Sequence, residues 1–493
     1  MTDKIGKVSM SALDEATSGS SPYYGKPHGL HWITAALFIV ADMAGGGVVA
    51  MPMAMLKAGT IGGPINIFVI ALSFCYTAHL LGENWNIMCE RWPVYREHCR
   101  KPYPEMAFRA MGAKCRWLTS ATVNVMLFGV AIVYLLLSAS IFSEISVGLF
   151  GLNISTCWMI PIISILLLPV TFCKSPADFQ WAVVTAMVTT TISVILIFVG
   201  IMEDNEVCGP VSVIPDFKAA SYILSWGTFM FSFGGHGVFP TIQHDMKDPK
   251  RFTNSAVLAF TIVFLLYIPI TIFGFMTYGS SLQDSIISSI QSLWIQQTAN
   301  FFIAIHCILT LTIVINPLNQ EFEHKFKLPH GFGIQRVVWR SFMMFWIVFA
   351  ALSFPEFGPI LNLIGGTCVA MTSAIMPCLF NLYLQANTEY EIAKRDDDVE
   401  ETVGLLELTR RVLSRTSRLK LTLNLFIIVI AVICGGVTTY SAIIEISGTN
   451  FGTPCYWPSD SIQVHKNATH CCGPNFDVSR FSDDPLFCSA SRS

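Results

Sequence analysis

Long apolar runs separated by short polar stretches recur along nearly the whole chain. Each is about 20 residues long, the length an α-helix needs to cross roughly 30 Å of hydrocarbon. Eleven such runs are read, near 30–55, 64–88, 117–145, 157–173, 180–202, 219–243, 254–278, 295–317, 336–354, 357–384 and 421–446. They predict an all-α polytopic membrane protein with eleven transmembrane helices. Three polar segments fall outside the runs. Residues 1–28, rich in Ser and Gly, are expected to be a cytosolic, disordered tail. The loop 385–420 spaces Leu405, Leu406, Leu408 and Leu413 among arginines, which predicts a short amphipathic helix at the membrane surface. Its Glu401-Thr402-Val403-Gly404-Leu405-Leu406 also has the form of an acidic dileucine sorting signal. Residues 449–493 are expected to form a cysteine-bearing exterior tail, leaving 29–448 as the membrane-embedded domain.

Basic residues orient the spans, because loops rich in Lys and Arg stay cytosolic. With the N-terminus inside, all but Lys57, Lys218, Lys466, Arg480 and Arg492 of the 30 Lys and Arg fall in inner segments. An odd span count then puts the C-terminus on the extracellular or luminal side. The sequons at Asn153 and Asn467 both land there, where glycosylation is possible. So do six cysteines, Cys157, Cys208, Cys455, Cys471, Cys472 and Cys488, which an oxidising exterior allows to pair. Cys157 with Cys208 is one expected bridge, although six cysteines permit about 15 connectivities.

Composition supports the membrane reading. Of 493 residues 53% are hydrophobic and 13% charged, with mean hydropathy +0.56. Soluble chains carry about 25% charged residues. A net charge of -3 gives no reason to expect a nucleic-acid partner. No cleavable signal peptide is visible, so targeting falls to the first span, in the plasma membrane or an endolysosomal or vesicular membrane. The partners implied are the lipid bilayer and a small molecule, and no protein partner is indicated.

Two spans are interrupted. Ala41-Asp42-Met43-Ala44-Gly45-Gly46-Gly47-Val48-Val49-Ala50-Met51-Pro52 sets three glycines and a proline inside span 1, with an acid just before them. Phe231-Ser232-Phe233-Gly234-Gly235-His236-Gly237-Val238-Phe239-Pro240 repeats the device in span 6. Glycine lowers the cost of leaving the helix, and proline removes a donor. Backbone freed in this way is tolerated in a bilayer only where protein or water satisfies it. Spans 1 and 6 lie five apart and run in opposite directions, so matching breaks point to an inverted repeat of spans 1–5 and 6–10. Half-helix N-termini suit a carboxylate and half-helix C-termini suit a cation or an ammonium, so an α-amino acid matches both.

The stretch Gly45–Pro52 resembles the first-span G-x-G-x-x-x-x-P motif of the amino acid/auxin permease family. Gly234–Thr241, followed by Asp245-Met246-Lys247-Asp248-Pro249 and Phe252, resembles that family's span 6 and the loop after it. Span 8, ending Ile315-Asn316-Pro317-Leu318-Asn319-Gln320, is similar too, and the likeness covers roughly residues 30–446. The resemblance implies the five-plus-five inverted repeat of the bacterial leucine transporter with one extra span. It also implies amino acid transport coupled to protons or sodium. Asp42 departs from the family pattern.

The expected substrate-lining set is Ala44, Gly45, Gly46, Gly47, Val48, Phe233, Gly234, Gly235, His236, Gly237 and Tyr134. Tyr134 enters by the resemblance, as a span 3 tyrosine that bonds the substrate carboxylate; packing against span 1 is its alternative. For the glycines the alternative is a kink or close helix packing. His236 is either a pocket residue that titrates during transport or a buried structural histidine. Asp42 is a coupling site, a partner for the substrate amine, or a cap for freed N–H groups. Thr310 and Thr312 offer hydroxyls for a sodium site or bond their own helix backbone. Glu144, near the outer end of span 3, reads as an interface residue.

Three function classes follow. The first is a secondary active transporter of neutral amino acids, with H+ or Na+ co-transported and no bound cofactor. The second is an amino acid sensor using the same pocket with little flux. The third, a membrane enzyme, has only His236, His244 and Asp245 as a dense set, two of them at the cytosolic mouth, so no enzyme is expected. No G-x-x-x-x-G-K-[ST] loop is present, which argues against ATP-driven transport.

Overall fold

The computed structural model describes residues 26, 29–97, 99, 101–172, 180–328, 333–386, 405–447, 454–457, 471–473 and 477–479. The expected disorder of the N-terminal tail falls outside this set, apart from Lys26, as do most of the dileucine segment, Asn467 and Cys488. The described chain is almost entirely helical. In order the helices are α1 Trp32–Met43, α2 Gly46–Arg91, α3 Pro102–Met111, α4 Ala113–Phe150, α5 Thr156–Thr171 and α6 Gln180–Cys208. They continue as α7 Ala219–Ser232, α8 Phe239–His244, α9 Phe252–Tyr278, α10 Leu293–Lys325, α11 Ile334–Ser353, α12 Phe357–Ile364, α13 Met376–Ala386, α14 Leu405–Arg415 and α15 Arg418–Ser447.

Among the described residues eight helical stretches are long and apolar enough to cross a membrane, and α1 and α5 are shorter apolar helices. The difference from eleven arises where the chain breaks or fails to break. Span 1 is split between α1 and the start of α2. Spans 1 and 2 meet without a loop, and only Gly59, at φ 78°, leaves helical geometry between them. Span 6 is divided into α7 and α8, both too short to cross alone.

Burial runs opposite to that of a soluble helix protein. On α2 the polar Asn66, Thr77 and Asn84 are buried, whereas Ile61, Ile65, Phe68 and Leu72 are exposed. On α15, Asn424 and Thr438 face inward, and Phe426, Val429 and Ile433 face out. A water-exposed surface of this kind would aggregate, and a hydrocarbon surround makes it favourable. Between such helices the hydrophobic effect gives little, so close packing and interhelical hydrogen bonds carry the association. Thr228 of α7 donates to Asn362 of α12 at 2.6 Å, and Thr438 of α15 donates to the Ile223 carbonyl of α7 at 3.0 Å.

Residues Gly365–Ile375 join α12 to α13 as a π-helical stretch, which span periodicity does not predict. Its cause is local. A Cβ on Gly365 would collide with the Gly227 carbonyl, and one on Gly227 would lie 2.6 Å from the Asn362 carbonyl. The two backbones therefore touch directly, as small residues permit. At the other end of the bundle Arg340 of α11 pairs with Glu323 of α10 at 2.6 Å and also donates to the Thr171 carbonyl of α5. All three residues are buried, and an ion pair is stable there only because both partners are present.

The expected Cys157–Cys208 bridge is corrected. Cys157 is bonded to Cys455 and Cys208 to Cys472. Both bridges tie the C-terminal tail to the bundle: Cys157 is in the first turn of α5, and Cys208 ends α6. Cys471 is disulfide-bonded as well. The amphipathic helix expected in the 385–420 loop is present as α14, and Asn153 is exposed between α4 and α5.

Candidate functional site

The first break begins where α1 runs out of donors. Ala44 N–H still reaches the Val40 carbonyl at 2.7 Å, and Gly45 N–H turns back to the Met43 carbonyl at 2.9 Å. Gly45, at φ -125° and ψ -118°, is neither helical nor extended, and α2 restarts at Gly46 with no side-chain cap. The first-turn N–H groups of a helix have no intrahelical partner, so this end carries uncapped donors and partial positive charge. In the second break Phe233–Val238 separates α7 from α8.

The two breaks are packed on each other. A Cβ on Gly47 would lie 2.8 Å from Ser232 Cα, at the end of α7. Tyr267, buried on α9, directs its hydroxyl at both interruptions, 2.8 Å from the Met43 carbonyl and 3.2 Å from the Ser232 carbonyl. One phenol thus serves the carbonyls left at the ends of both α1 and α7.

Beside the breaks lies a cavity of about 660 Å³. Its lining includes Asp42, Tyr134, Gly234, Gly235 and Thr310. Its walls are largely apolar: Phe38 from α1, Met126, Leu127 and Val130 from α4, Phe231 and Val238 around the second break, Ile313 and Val314 from α10, and Val369. Asp42 faces Gly235 closely, since a Cβ there would come 2.7 Å from Oδ2. Among the described residues no side chain bonds to or pairs with the Asp42 carboxylate.

The cavity extends to Lys26, Gly29, Leu30 and Asp245. Here the segment before α1 pairs with the segment after α8: Leu30 N–H donates to the Asp245 carbonyl and Lys247 N–H to the Leu30 carbonyl, each at 2.8 Å. Gly29 is required by that approach, because its Cβ would lie 2.6 Å from the Met246 carbonyl carbon. Lys26 and Asp245 pair at 3.7 Å across the mouth. The far end of the bundle is closed by buried hydrogen bonds. Glu144 accepts from Ser288 at 2.7 Å and Asn300 at 3.0 Å, and Asp204 accepts from Tyr278 at 2.6 Å.

The sequence-expected set divides. Tyr134, Gly234, Gly235, Asp42 and Thr310 line the cavity. Gly45 and Gly46 lie behind the Tyr134 phenol: a Cβ on Gly45 would come 2.6 Å from the hydroxyl, and one on Gly46 3.9 Å from the ring. Ala44, Gly47, Val48 and Phe233 are buried in the packing around the breaks. Gly237 abuts Met126. His236 is turned away, its Nε2 3.1 Å from the Thr77 hydroxyl and 3.0 Å from the Phe74 carbonyl on α2, with its ring among Phe74, Phe239 and Phe260. The Thr312 hydroxyl donates to its own helix at Ile308.

Sequence reasoning missed two residues. Tyr267 was one tyrosine among 13, in a span without a break. His306 is wholly buried at the middle of α10, with Thr190 and Thr310 against its two ring nitrogens. An ionisable group in an apolar run was the signal available for it.

Residues 28–398 match the family described as transmembrane amino acid transporter protein. The amino acid transporter AVT1J of Arabidopsis thaliana is 25% identical over 375 residues, covering 71% of this chain and 81% of that protein. AVT1D of the same plant is 24% identical, covering 82% of this chain and 68% of that one. Among solved structures, the nucleobase-cation-symport-1 family transporter Mhp1, closed around bromovinylhydantoin, superposes with a TM-score of 0.52 at 14% identity. That match covers 92% of this chain and 99% of Mhp1. The likeness to Mhp1 is one of fold.

Proposed function

The chain belongs to the transmembrane amino acid transporter family, and from that premise we propose that it is a secondary active carrier of neutral amino acids, driven by a proton or sodium gradient. Membership makes it an integral multi-pass membrane protein and a transporter, not an enzyme. One observation carries the finer reading: a cavity lies beside two facing helix breaks, lined by apolar walls and by the Asp42 carboxylate, which no described side chain pairs with.

An α-amino acid suits this site in both halves. Its ammonium pairs with Asp42, which otherwise bears the cost of a carboxylate at membrane depth. Its carboxylate lies towards the uncapped start of α2 and the Tyr134 hydroxyl, where donors and the dipole favour an anion. Its side chain extends along Met126, Val130, Phe231 and Val369, which supply dispersion contacts and no partner for a second charge. A charged side chain would lose its hydration there without compensation, so neutral substrates are favoured.

In this reading α1 with the first segment of α2 makes one crossing and α7 with α8 another. The helices then cross eleven times, as two inverted repeats of five and a final α15. The N-terminus is cytosolic, so the mouth at Lys26 and Asp245 opens to the cytosol. Alternating access closes this mouth over the pairing of residues 26–30 with 245–247 and breaks the hydrogen bonds at the Glu144 and Asp204 end.

The test is uptake of a panel of labelled amino acids into proteoliposomes, with and without sodium and a pH gradient. Accumulation of neutral amino acids under one gradient is expected. Binding without uptake or counterflow would overturn the carrier reading and leave a sensor.

A further inference from the structure

His306 is the buried ionisable group nearest the first break that the transport reading leaves without a task. It sits where three elements meet. Its Nδ1 lies 2.7 Å from the Thr190 hydroxyl and 3.2 Å from the Ala186 carbonyl on α6. Its Nε2 lies 3.2 Å from the Thr310 hydroxyl, one turn along α10, and the same nitrogen abuts Gly45 at the break.

The hydrogen-bond pattern assigns the ring hydrogen. A carbonyl only accepts, so the contact with Ala186 puts the hydrogen on Nδ1. The Thr190 hydroxyl donates its own hydrogen to the same carbonyl at 2.9 Å, leaving its oxygen to accept from Nδ1–H. Nε2 is then the basic nitrogen, and Thr310 donates to it. Thr310 and Ala186 both line the cavity, so the imidazole is one side chain behind the wall that the substrate touches.

We propose, resting on the amino acid transport reading, that His306 is the proton-coupling site and that Thr310 relays its protonation state to the substrate carboxylate. A proton arriving through the cavity binds Nε2. Nε2–H then donates to Thr310 Oγ1, whose hydrogen is released to turn into the cavity as a donor. The same step places a full positive charge beside Gly45 and the uncapped start of α2. Both changes favour a carboxylate, and its departure favours return of the proton. No bond other than the N–H forms or breaks.

The groups facing His306 are few. The Tyr134 ring of α4 lies tilted against it at 6.1 Å between ring centroids, and Asp42 stands three residues before Gly45. Cys307 is its neighbour on α10. The acids of α6, Glu203, Asp204 and Glu206, lie roughly 20 Å along that helix from Thr190 at 1.5 Å per residue. The cations of these elements, Lys114 and Arg116 of α4 and Lys325 of α10, lie roughly 27–30 Å along their helices from Tyr134 and His306 at 1.5 Å per residue. Histidine also titrates within the range that a biological gradient spans. The coupling role expected of His236 passes by this argument to His306, since His236 faces α2 and not the cavity.

The experiment uses the full chain in proteoliposomes loaded with a pH-sensitive dye. Wild-type protein should acidify the lumen when a transported neutral amino acid is added outside. His306→Gln should abolish that acidification, and its counterflow should no longer vary between about pH 5 and 8. Thr310→Val should weaken substrate half-saturation at low pH by about tenfold, with Thr310→Ser restoring it. Wild-type-like acidification by His306→Gln would overturn the proposal. So would wild-type uptake driven by sodium without acidification, because the carrier reading then stands alone. Wild-type vesicles that move no amino acid overturn the transport reading and the proposal with it. If His306→Gln is not monodisperse, the Thr310 pair decides: identical pH profiles for Val and Ser would overturn the relay.

Discussion

The Tyr267 hydroxyl lies 2.8 Å from the carbonyl of Met43, the last residue of α1. Because the same hydroxyl is 3.2 Å from the Ser232 carbonyl at the end of α7, α9 holds both broken helices through one atom. A transporter that rocks these helices against the rest of the bundle needs such a contact to define one of its states.

Tyr267→Phe keeps the ring, which packs edge-on against Phe233, and removes only the hydroxyl. Two buried carbonyls then lose a donor, at a cost of about 1–3 kcal/mol for an unsatisfied group. The variant is expected to reach the membrane, melt several degrees lower in detergent and transport about tenfold more slowly. Thermal-shift and initial-rate measurements check this, and wild-type values for both would remove the clasp from the mechanism.

The glycines of the first break should not be equivalent. A Cβ on Gly47 would meet Ser232 Cα at 2.8 Å, which is backbone and can yield only if α2 and α7 separate. On Gly46 the nearest atom is the Leu137 methyl at 3.3 Å, at the tip of a side chain. Gly47→Ala is therefore expected to lose most uptake, with overpacking of about 1–3 kcal/mol. Gly46→Ala should keep most of it, whereas Gly46→Leu should abolish it while the protein still reaches the membrane. Surface biotinylation beside uptake separates lost function from lost expression; a reversed order for the two alanines would contradict the packing.

Asp42 was the most conspicuous residue of its stretch in sequence and the least explained by the family pattern. Its place opposite Gly235 on the cavity wall gives it a partner that only a ligand supplies. Asp42→Asn removes the charge and keeps the shape. Loss of a charge-assisted hydrogen bond of about 1.5–3 kcal/mol should raise the half-saturation concentration some 10- to 150-fold. The effect should be confined to substrates bearing an α-ammonium. Competition by N-acetylated analogues measures this: neither protein should bind them well, and an unchanged affinity for the free amino acid in Asp42→Asn would return Asp42 to a capping role.

What the sequence exposed and what it hid follow from the range of each interaction. The breaks at Gly45–Gly47 and Gly234–Gly237 were legible because glycine and proline act on their own backbone. The apolar runs were legible because crossing a bilayer constrains each helix singly. The joining of spans 1 and 2 through Gly59 was not, since Gly59-Thr60-Ile61-Gly62-Gly63-Pro64 reads equally well as a turn between two helices. Tyr267 and His306 were hidden because their roles depend on contacts with Met43 and Thr190, more than a hundred residues away in the chain. His236 misled for the same reason: a residue inside a break has no fixed direction until its neighbours are placed.

Pairing of the cysteines is the case in which proximity in the predicted topology pointed to the wrong partner. Cys157 and Cys208 both sit at span ends that the expected topology places on one side, yet each is bonded to the tail, with separations of 298 and 264 residues to Cys455 and Cys472. Closing loops of that size restrains the unfolded chain strongly, and loss of a native bridge costs about 2–5 kcal/mol. The bridges also tie the tail to α5 and α6, which the proposed alternating access would have to open. Non-reducing proteolysis with mass spectrometry should recover a Cys157–Cys455 peptide pair and a Cys208–Cys472 pair, and no Cys157–Cys208 pair. Cys208→Ser should lower thermal stability, and mild reductant should lower that of the wild type similarly. Recovery of a Cys157–Cys208 peptide would mean that the tail is held by other contacts and leaves the exterior mouth free of it.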